Sequence, residues 1–219
     1  NEHGMIMKKI VLTLAVASAF SSVAAQAKSD WYIGVDVLNS NLDIESNFDL
    51  DSATGVGISA GRNIKVNDNF SIDIEAEYIH LGNFTNDNGA YCYSNYNYVR
   101  CSSDVDMDAF NLNVKPKYHF NGSGLYLGAI AGLTSMTADG IVYSHSVGYT
   151  NSYYTANNVE GFGYNYGLEL GYEFNTKVII SVGYRVASVD FDVKPSLFRT
   201  KKSVNFETQS AYIGLDYKF

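Results

Sequence analysis

A chain of 219 residues, 46% hydrophobic and 17% charged with only two prolines, has the makings of one ordered domain and not of a disordered polymer. A net charge of -8 leaves no basic stripe to neutralise phosphates, which argues against nucleic acid as a partner. Eighteen Tyr, twelve Phe and nineteen Gly against a single Trp suit a sheet protein with tight turns and aromatic belts at two water interfaces.

The N-terminus reads as a targeting segment. Lys8 and Lys9 make a basic region, Ile10 to Phe20 an apolar run, and Ala25-Gln26-Ala27 a small-residue cleavage site, together the pattern of a secretory signal peptide. Residues 1–27 are therefore expected to be removed, and residues 28–219 to form the mature domain, with 13 basic and 22 acidic residues. Residues 1–4 precede two candidate initiating methionines, Met5 and Met7, and carry no weight. The 11-residue apolar run is too short to span a bilayer as a helix, and no other stretch approaches the roughly 20 residues required. If the mature chain crosses a membrane, it crosses as strands.

Period-two alternation picks out eight segments divided by turn signals. The first, Asp30 to Leu38, sets Trp31, Ile33, Val35 and Val37 against Tyr32, Gly34 and Asp36. The second is Ala53 to Asn63. The third, Phe70 to Leu81, alternates Phe70, Ile72, Ile74, Ala76 and Tyr78 with Ser71, Asp73, Glu75 and Glu77. The fourth, about Ala109 to Phe120, alternates Phe110, Leu112, Val114, Pro116, Tyr118 and Phe120 with Asn111, Asn113, Lys115, Lys117 and His119. The fifth, about Leu125 to Ala138, has small residues on both faces and its facing stays open. The sixth, Val159 to Phe174, places an aromatic and leucine face opposite Gly, Asn165, Glu169 and Glu173. The seventh is Val178 to Val189, and the eighth runs from about Asn205 to Phe219 and ends SAYIGLDYKF. Polar faces that mix charges with glycine fit the interior of a small barrel, where only some positions have room for a side chain.

The connections alternate in length. Residues 64–69, 121–124 and 175–177 are short links, whereas 39–52, 82–108, 139–158 and 190–204 are long. Outer-membrane barrels combine short periplasmic turns with long external loops, so this order predicts both termini in the periplasm. The expected fold class is all-β, an eight-stranded antiparallel up-and-down transmembrane β-barrel.

The long connections hold the remaining signals. Cys92 and Cys101, the only cysteines, are expected to form a disulfide in an exported chain; a zinc site is the weaker alternative without a nearby histidine. Tyr91, Tyr93, Tyr96, Tyr98, Tyr143, Tyr149, Tyr153 and Tyr154 are interleaved with Ser, Asn and Gly, a mixture like that of antibody contact surfaces. They are candidate contacts for a host or environmental ligand, against the plainer reading that they order long loops. His80, His119 and His145 are the mature histidines; His145 between Ser144 and Ser146, with Glu160 further on, could be imagined as a catalytic set but reads better as solvated surface. No catalytic residue, metal site or cofactor is expected.

The mature chain resembles the transmembrane domain of the outer-membrane protein A (OmpA) family. The likeness rests on Trp31-Tyr32-x-Gly34, IEAEYIHLG from Ile74 to Gly82, NVKPKYHF from Asn113 to Phe120, GLELGYEF from Gly167 to Phe174, and the terminal YIGLDYKF. The resemblance implies a lumen blocked by a charged cluster, to which Glu75, Lys115 and Glu169 correspond. Ser181 stands where the family's arginine would sit and Arg185 lies four residues further along, so Arg185 is expected to have an altered register or a different partner. No counterpart of the family's peptidoglycan-binding domain is expected, and anchoring to the cell wall is not implied.

Independently of the resemblance, Glu75 and Lys115 lie about five residues above their turns on neighbouring strands, so a salt bridge between them is expected. Buried charges are costly unless paired. A lumen carrying Asp73, Glu75, Glu77, Lys115, Lys117, Glu169, Glu173 and Arg185 should therefore form one network. The expected function is structural, presenting loops outside the cell; the alternatives are an adhesin, a narrow gated pore and, last, a lipid A-modifying enzyme. Expected partners are outer-membrane lipid, lipopolysaccharide and the barrel-assembly machinery, which would read Tyr217 and Phe219 as an assembly signal, and the chain is expected to be monomeric.

Overall fold

A computed structural model describes residues 29–44, 52–85, 90–94, 97–101, 104–147, 150–156, 158–174, 177–193 and 202–219. The predicted signal peptide lies outside them. In chain order the strands are β1 (Ser29–Ile44), β2 (Ala53–Lys65), β3 (Phe70–Thr85), β4 (Ala90–Ser94), β5 (Asn97–Cys101), β6 (Asp104–His119), β7 (Leu125–Asp139), β8 (Ile141–Val147), β9 (Thr150–Ala156), β10 (Val159–Glu173), β11 (Val178–Val193) and β12 (Lys202–Lys218). Eight of them close a barrel in the order β1-β12-β11-β10-β7-β6-β3-β2, every pair antiparallel. Hairpins β4-β5 and β8-β9 stand apart from it in the two longest connections, which the sequence had suggested were loops.

Short polar sequences make the tight end. At 66–69 the Asn69 amide donates to Asn67 Oδ1, an Asx-type turn, and Val66 N returns to Phe70 O at 2.9 Å. At 121–124 Gly122 takes φ +73°, and Phe120 N closes on Leu125 O at 2.9 Å. The last turn puts Lys177 at φ 68°. The terminal strand seals the seam: Ile33 pairs with Tyr217, and the Phe219 amide donates to Trp31 O at 2.9 Å.

All assigned facings hold, and β7 acquires one: Tyr126, Gly128, Ile130, Thr134 and Met136 turn inward. From the turns to roughly Val37, Tyr78, Phe110, Leu133, Phe162, Val186 and Ala211 the outer face is apolar apart from Arg62 of β2, whose guanidinium lies 5.8 Å from the centroid of the Trp31 ring. Ile58, Leu168 and Ile213 there are 61–62% exposed, normal only if lipid covers them. On β3 this belt runs from Phe70 to Tyr78, about 27 Å of strand. A tilt of about 40° reduces that to roughly 20–25 Å, close to the apolar band of an outer-membrane barrel. Aromatic rings edge it, with Tyr118 on Phe120 at 5.5 Å and Tyr172 on Phe174 at 4.7 Å near the turns.

The barrel strands run several residues past the belt, and there the pattern inverts. Outward positions become Asn39, Asn41, Asp43, His80, Asp106, Asp108, Asp190, Asn205, Glu207 and Gln209. Inward positions become Leu38, Leu42, Ile79, Leu81, Phe84, Val105, Met107, Met136, Val189, Phe191, Val204 and Phe206, joined in one buried cluster. A bulge between His80 and Gly82 makes the crossover on β3. Gly82 adopts φ +92° beside the Thr54 carbonyl, and the slipped register turns Phe84 inward. The sequence expectation of a polar interior is therefore corrected for the loop end, where the lumen is an apolar core.

Candidate functional site

The polar lumen lies between this core and the turns, and each of its side chains is placed by strand parity. Lys115 and Lys117, successive inward positions of β6, meet carboxylates from both sides. Lys115 Nζ is 2.8 Å from Glu75 of β3 and 3.6 Å from Glu169 of β10. Lys117 Nζ is 2.8 Å from Asp73 and 3.1 Å from Glu169, and it also lies 4.4 Å from the centroid of the Tyr126 ring. Tyr32 donates to Glu75 at 2.8 Å and Tyr212 to Glu169 at 2.9 Å. These tyrosine rings need flat neighbours. A Cβ on Gly61, Gly171 or Gly183 would strike Tyr32, Tyr126 or Tyr212 respectively.

One step toward the loops, Arg185 of β11 reaches across the barrel to Glu77 of β3. Asn111 and Asn113 donate to the same carboxylate at 3.0 and 3.2 Å, and Thr134 and Asn165 extend the net to β7 and β10. At the turn end Lys218 holds Glu173 at 2.7 Å, while Ser71 bonds His119 Nε2 at 2.9 Å and receives Asn63 at 3.1 Å. A mouth of about 950 Å³, lined by the three turns with Lys65, His119, Lys177 and Lys218, opens beneath.

The eight charged residues expected in the lumen all face it, and the expected Glu75–Lys115 contact forms. Arg185 has a different partner, Glu77, one inward step above Glu75. The sequence reading left out the tyrosines, the amides and two further inward carboxylates, Asp36 and Asp216. Their parity was visible, but nothing in one strand reveals what lies opposite. Among the described residues no group of three or more His, Cys, Asp or Glu could hold a metal ion.

Outside the lumen, His80 Nδ1 contacts Asp108 at 3.0 Å on the outer surface, where Tyr78 donates to the same oxygen at 2.9 Å. Tyr217 and Phe219 end the lipid-facing row of β12, 49% and 61% exposed. The side chains of Cys92, Cys101, Ser144, His145, Ser146 and the eight loop tyrosines lie outside those described. Backbone register pairs Cys92 with Val99 and Cys101 with Ala90, making the cysteines diagonal neighbours on one face of the hairpin. It sets Tyr93 opposite Tyr98 and Tyr143 opposite Tyr154.

Apolar outside and charged inside at one level, with a dry core closing the other, defines a membrane-spanning β-barrel with a filled lumen. A model of the outer membrane protein beta-barrel domain matches residues 11–219, and the chain belongs to that family, whose place is the outer membrane. No curated protein matches it in sequence. Among solved structures, it is similar to the attachment invasion locus protein Ail of Yersinia pestis in complex with sucrose octasulfate, at 13% identity and a TM-score of 0.48, over 87% of this chain and 99% of that one. Neisserial surface protein A shares 16% identity at a TM-score of 0.44, over 86% and 97%. The N-terminal barrel of OprF from Pseudomonas aeruginosa shares 12% identity at 0.43, again over 86% and 97%.

Proposed function

We propose that the protein is a closed, non-conducting and non-enzymatic scaffold that holds its long connections at the outer surface, with both termini in the periplasm. The observation that carries this reading is the double filling of the lumen. Arg185 to Glu77 and the lysine–carboxylate net cross it at one level, and the apolar cluster around Phe84, Met107, Phe191 and Phe206 crosses it at the next. Opening a pore would require breaking buried ion pairs and separating a packed core, each costing several kcal/mol. In planar bilayers the protein should give no discrete conductance, and neither should Glu75→Ala. Regular single-channel steps in wild type would overturn the reading.

Adhesion through the loops is the second reading, favoured by the tyrosines that the hairpin registers set opposite one another. Deleting residues 86–103, which removes the whole β4-β5 hairpin, should lower attachment to a ligand-bearing surface while leaving the barrel intact. Unchanged attachment would count against it. A Cys92–Cys101 disulfide, a monomeric state and contact with lipopolysaccharide belong to the same proposal.

A further inference from the structure

Between the solvated mouth and the apolar core the described lumen-facing side chains carry seven carboxylates, Asp36, Asp73, Glu75, Glu77, Glu169, Glu173 and Asp216, against four cations, Lys115, Lys117, Arg185 and Lys218. All four cations are committed. Lys115 and Lys117 lie on Glu75, Asp73 and Glu169, Arg185 on Glu77 and Lys218 on Glu173. Asp36 and Asp216 have no basic group within 4.0 Å among the described residues, and feel Lys115, Lys117 and Arg185 only at longer range.

These two carboxylates share a built recess at the closing seam. Asp216 of β12 reaches over Gly34 of β1, and Asp36 of β1 reaches over Gly214 of β12, one inward step apart. Each glycine is flanked on its other side by a serine: Ser59 of β2 opposite Gly34, and Ser181 of β11 opposite Gly214. A Cβ on Gly34 would strike Asp216 Oδ1 and lie 2.5 Å from Ser59 Oγ. One on Gly214 would lie 2.5 Å from Asp36 Oδ1 and 2.7 Å from Ser181 Oγ. The absent side chains make the room, and four strands aim oxygen atoms into it. Ser59 and Ser181 are 8% and 5% exposed, and neither hydroxyl has a hydrogen-bond partner among the described residues. Both hydroxyl oxygens open onto the lumen and Asp36 and Asp216 are half-buried there, so one ligand would give the hydroxyls a partner and the carboxylates a counter-charge.

We infer that the recess between Asp36, Asp216, Ser59 and Ser181 binds a small hard cation of the alkali class, which keeps part of its water. Oxygen-only donors select a hard ion. Two carboxylates with two hydroxyls supply fewer oxygens than the six to eight of a dedicated calcium cage. The next inward pair toward the loops is Leu38 with Tyr212, both in the apolar cluster, so the apolar core closes the recess on the loop side. An ion held there offsets one of the three excess negative charges of the interior without opening a path through it.

The full chain, folded in detergent, provides the test. Replacing N-methylglucamine by sodium at constant ionic strength should raise the thermal midpoint by a few degrees, read as loss of the heat-modifiable gel shift. The double variant Asp36→Asn/Asp216→Asn should fold and lose that dependence. Crystals of the unaltered chain soaked in thallium(I) should show an anomalous peak between Asp36 and Asp216. Equal midpoints in the two salts, a dependence that survives in the double variant, or a recess holding only water in thallium would each overturn the inference. So would a midpoint that follows pH but not the cation, which would mean that the two carboxylates share a proton instead.

Discussion

The same eight strands build two different objects, one above the other. In the belt, Leu168 and Ile58 face outward while Lys117, Asp73 and Glu169 are buried; toward the loops, Asp190 and Asn41 face outward while Phe191 and Phe206 pack at 4.7 Å. One level is inside-out and the other is an ordinary soluble β-barrel core. The difference teaches where the surrounding solvent changes. An outward apolar side chain is favourable only against lipid, and an inward one only where charges are not already paired across the lumen. The loops therefore rest on a rigid collar with its own core, raised above the bilayer.

The largest effects should come from breaking each interior in its own way. Phe206→Ala removes a buried ring from the collar and should cost about 3–5 kcal/mol of unfolding free energy, measured by urea titration in lipid vesicles. Arg185→Leu leaves Glu77 as an uncompensated buried charge and should cost a similar 3–5 kcal/mol. The two sites part in their double variants. Glu77→Leu/Arg185→Leu should recover most of the loss, since a buried ion pair and an apolar pair of like volume are nearly equivalent. Phe191→Ala/Phe206→Ala should only deepen it. A charged lumen that gains nothing from the paired change would contradict the contrast between the two levels.

The outer faces sharpen the same contrast with smaller numbers. Leu168→Arg, at the middle of the belt, should cost about 2–4 kcal/mol, whereas Asn41→Arg on the collar should change stability by less than about 0.5 kcal/mol. Equal penalties would mean that lipid covers both. The smallest effect belongs to His80 and Asp108, which pair on the exposed collar surface; His80→Gln should cost between zero and about 1 kcal/mol in the same titration.

The sequence alone determined much of this molecule, because period-two alternation is a local property. The number of barrel strands, the facing of five segments, the inward position of Glu75, Lys115 and Glu169, and the alternation of short and long links could all be read along the chain. What remained hidden depends on closure or on a single irregular residue. Segment five was undecided because Gly128 and Gly132 look neutral until Glu169 and the Asn113–Asn165 pair are seen occupying the space above them. Strand ends toward the loops were missed because there the alternation changes sign, and on β3 one bulge at Gly82 erases it. Arg185 finds Glu77 because β11 and β3 stand four strands apart in an eight-membered ring, and Asp36 meets Asp216 because β1 and β12 close it. A sequence fixes which side of a strand a residue occupies, but only the closed cylinder decides which residue it faces.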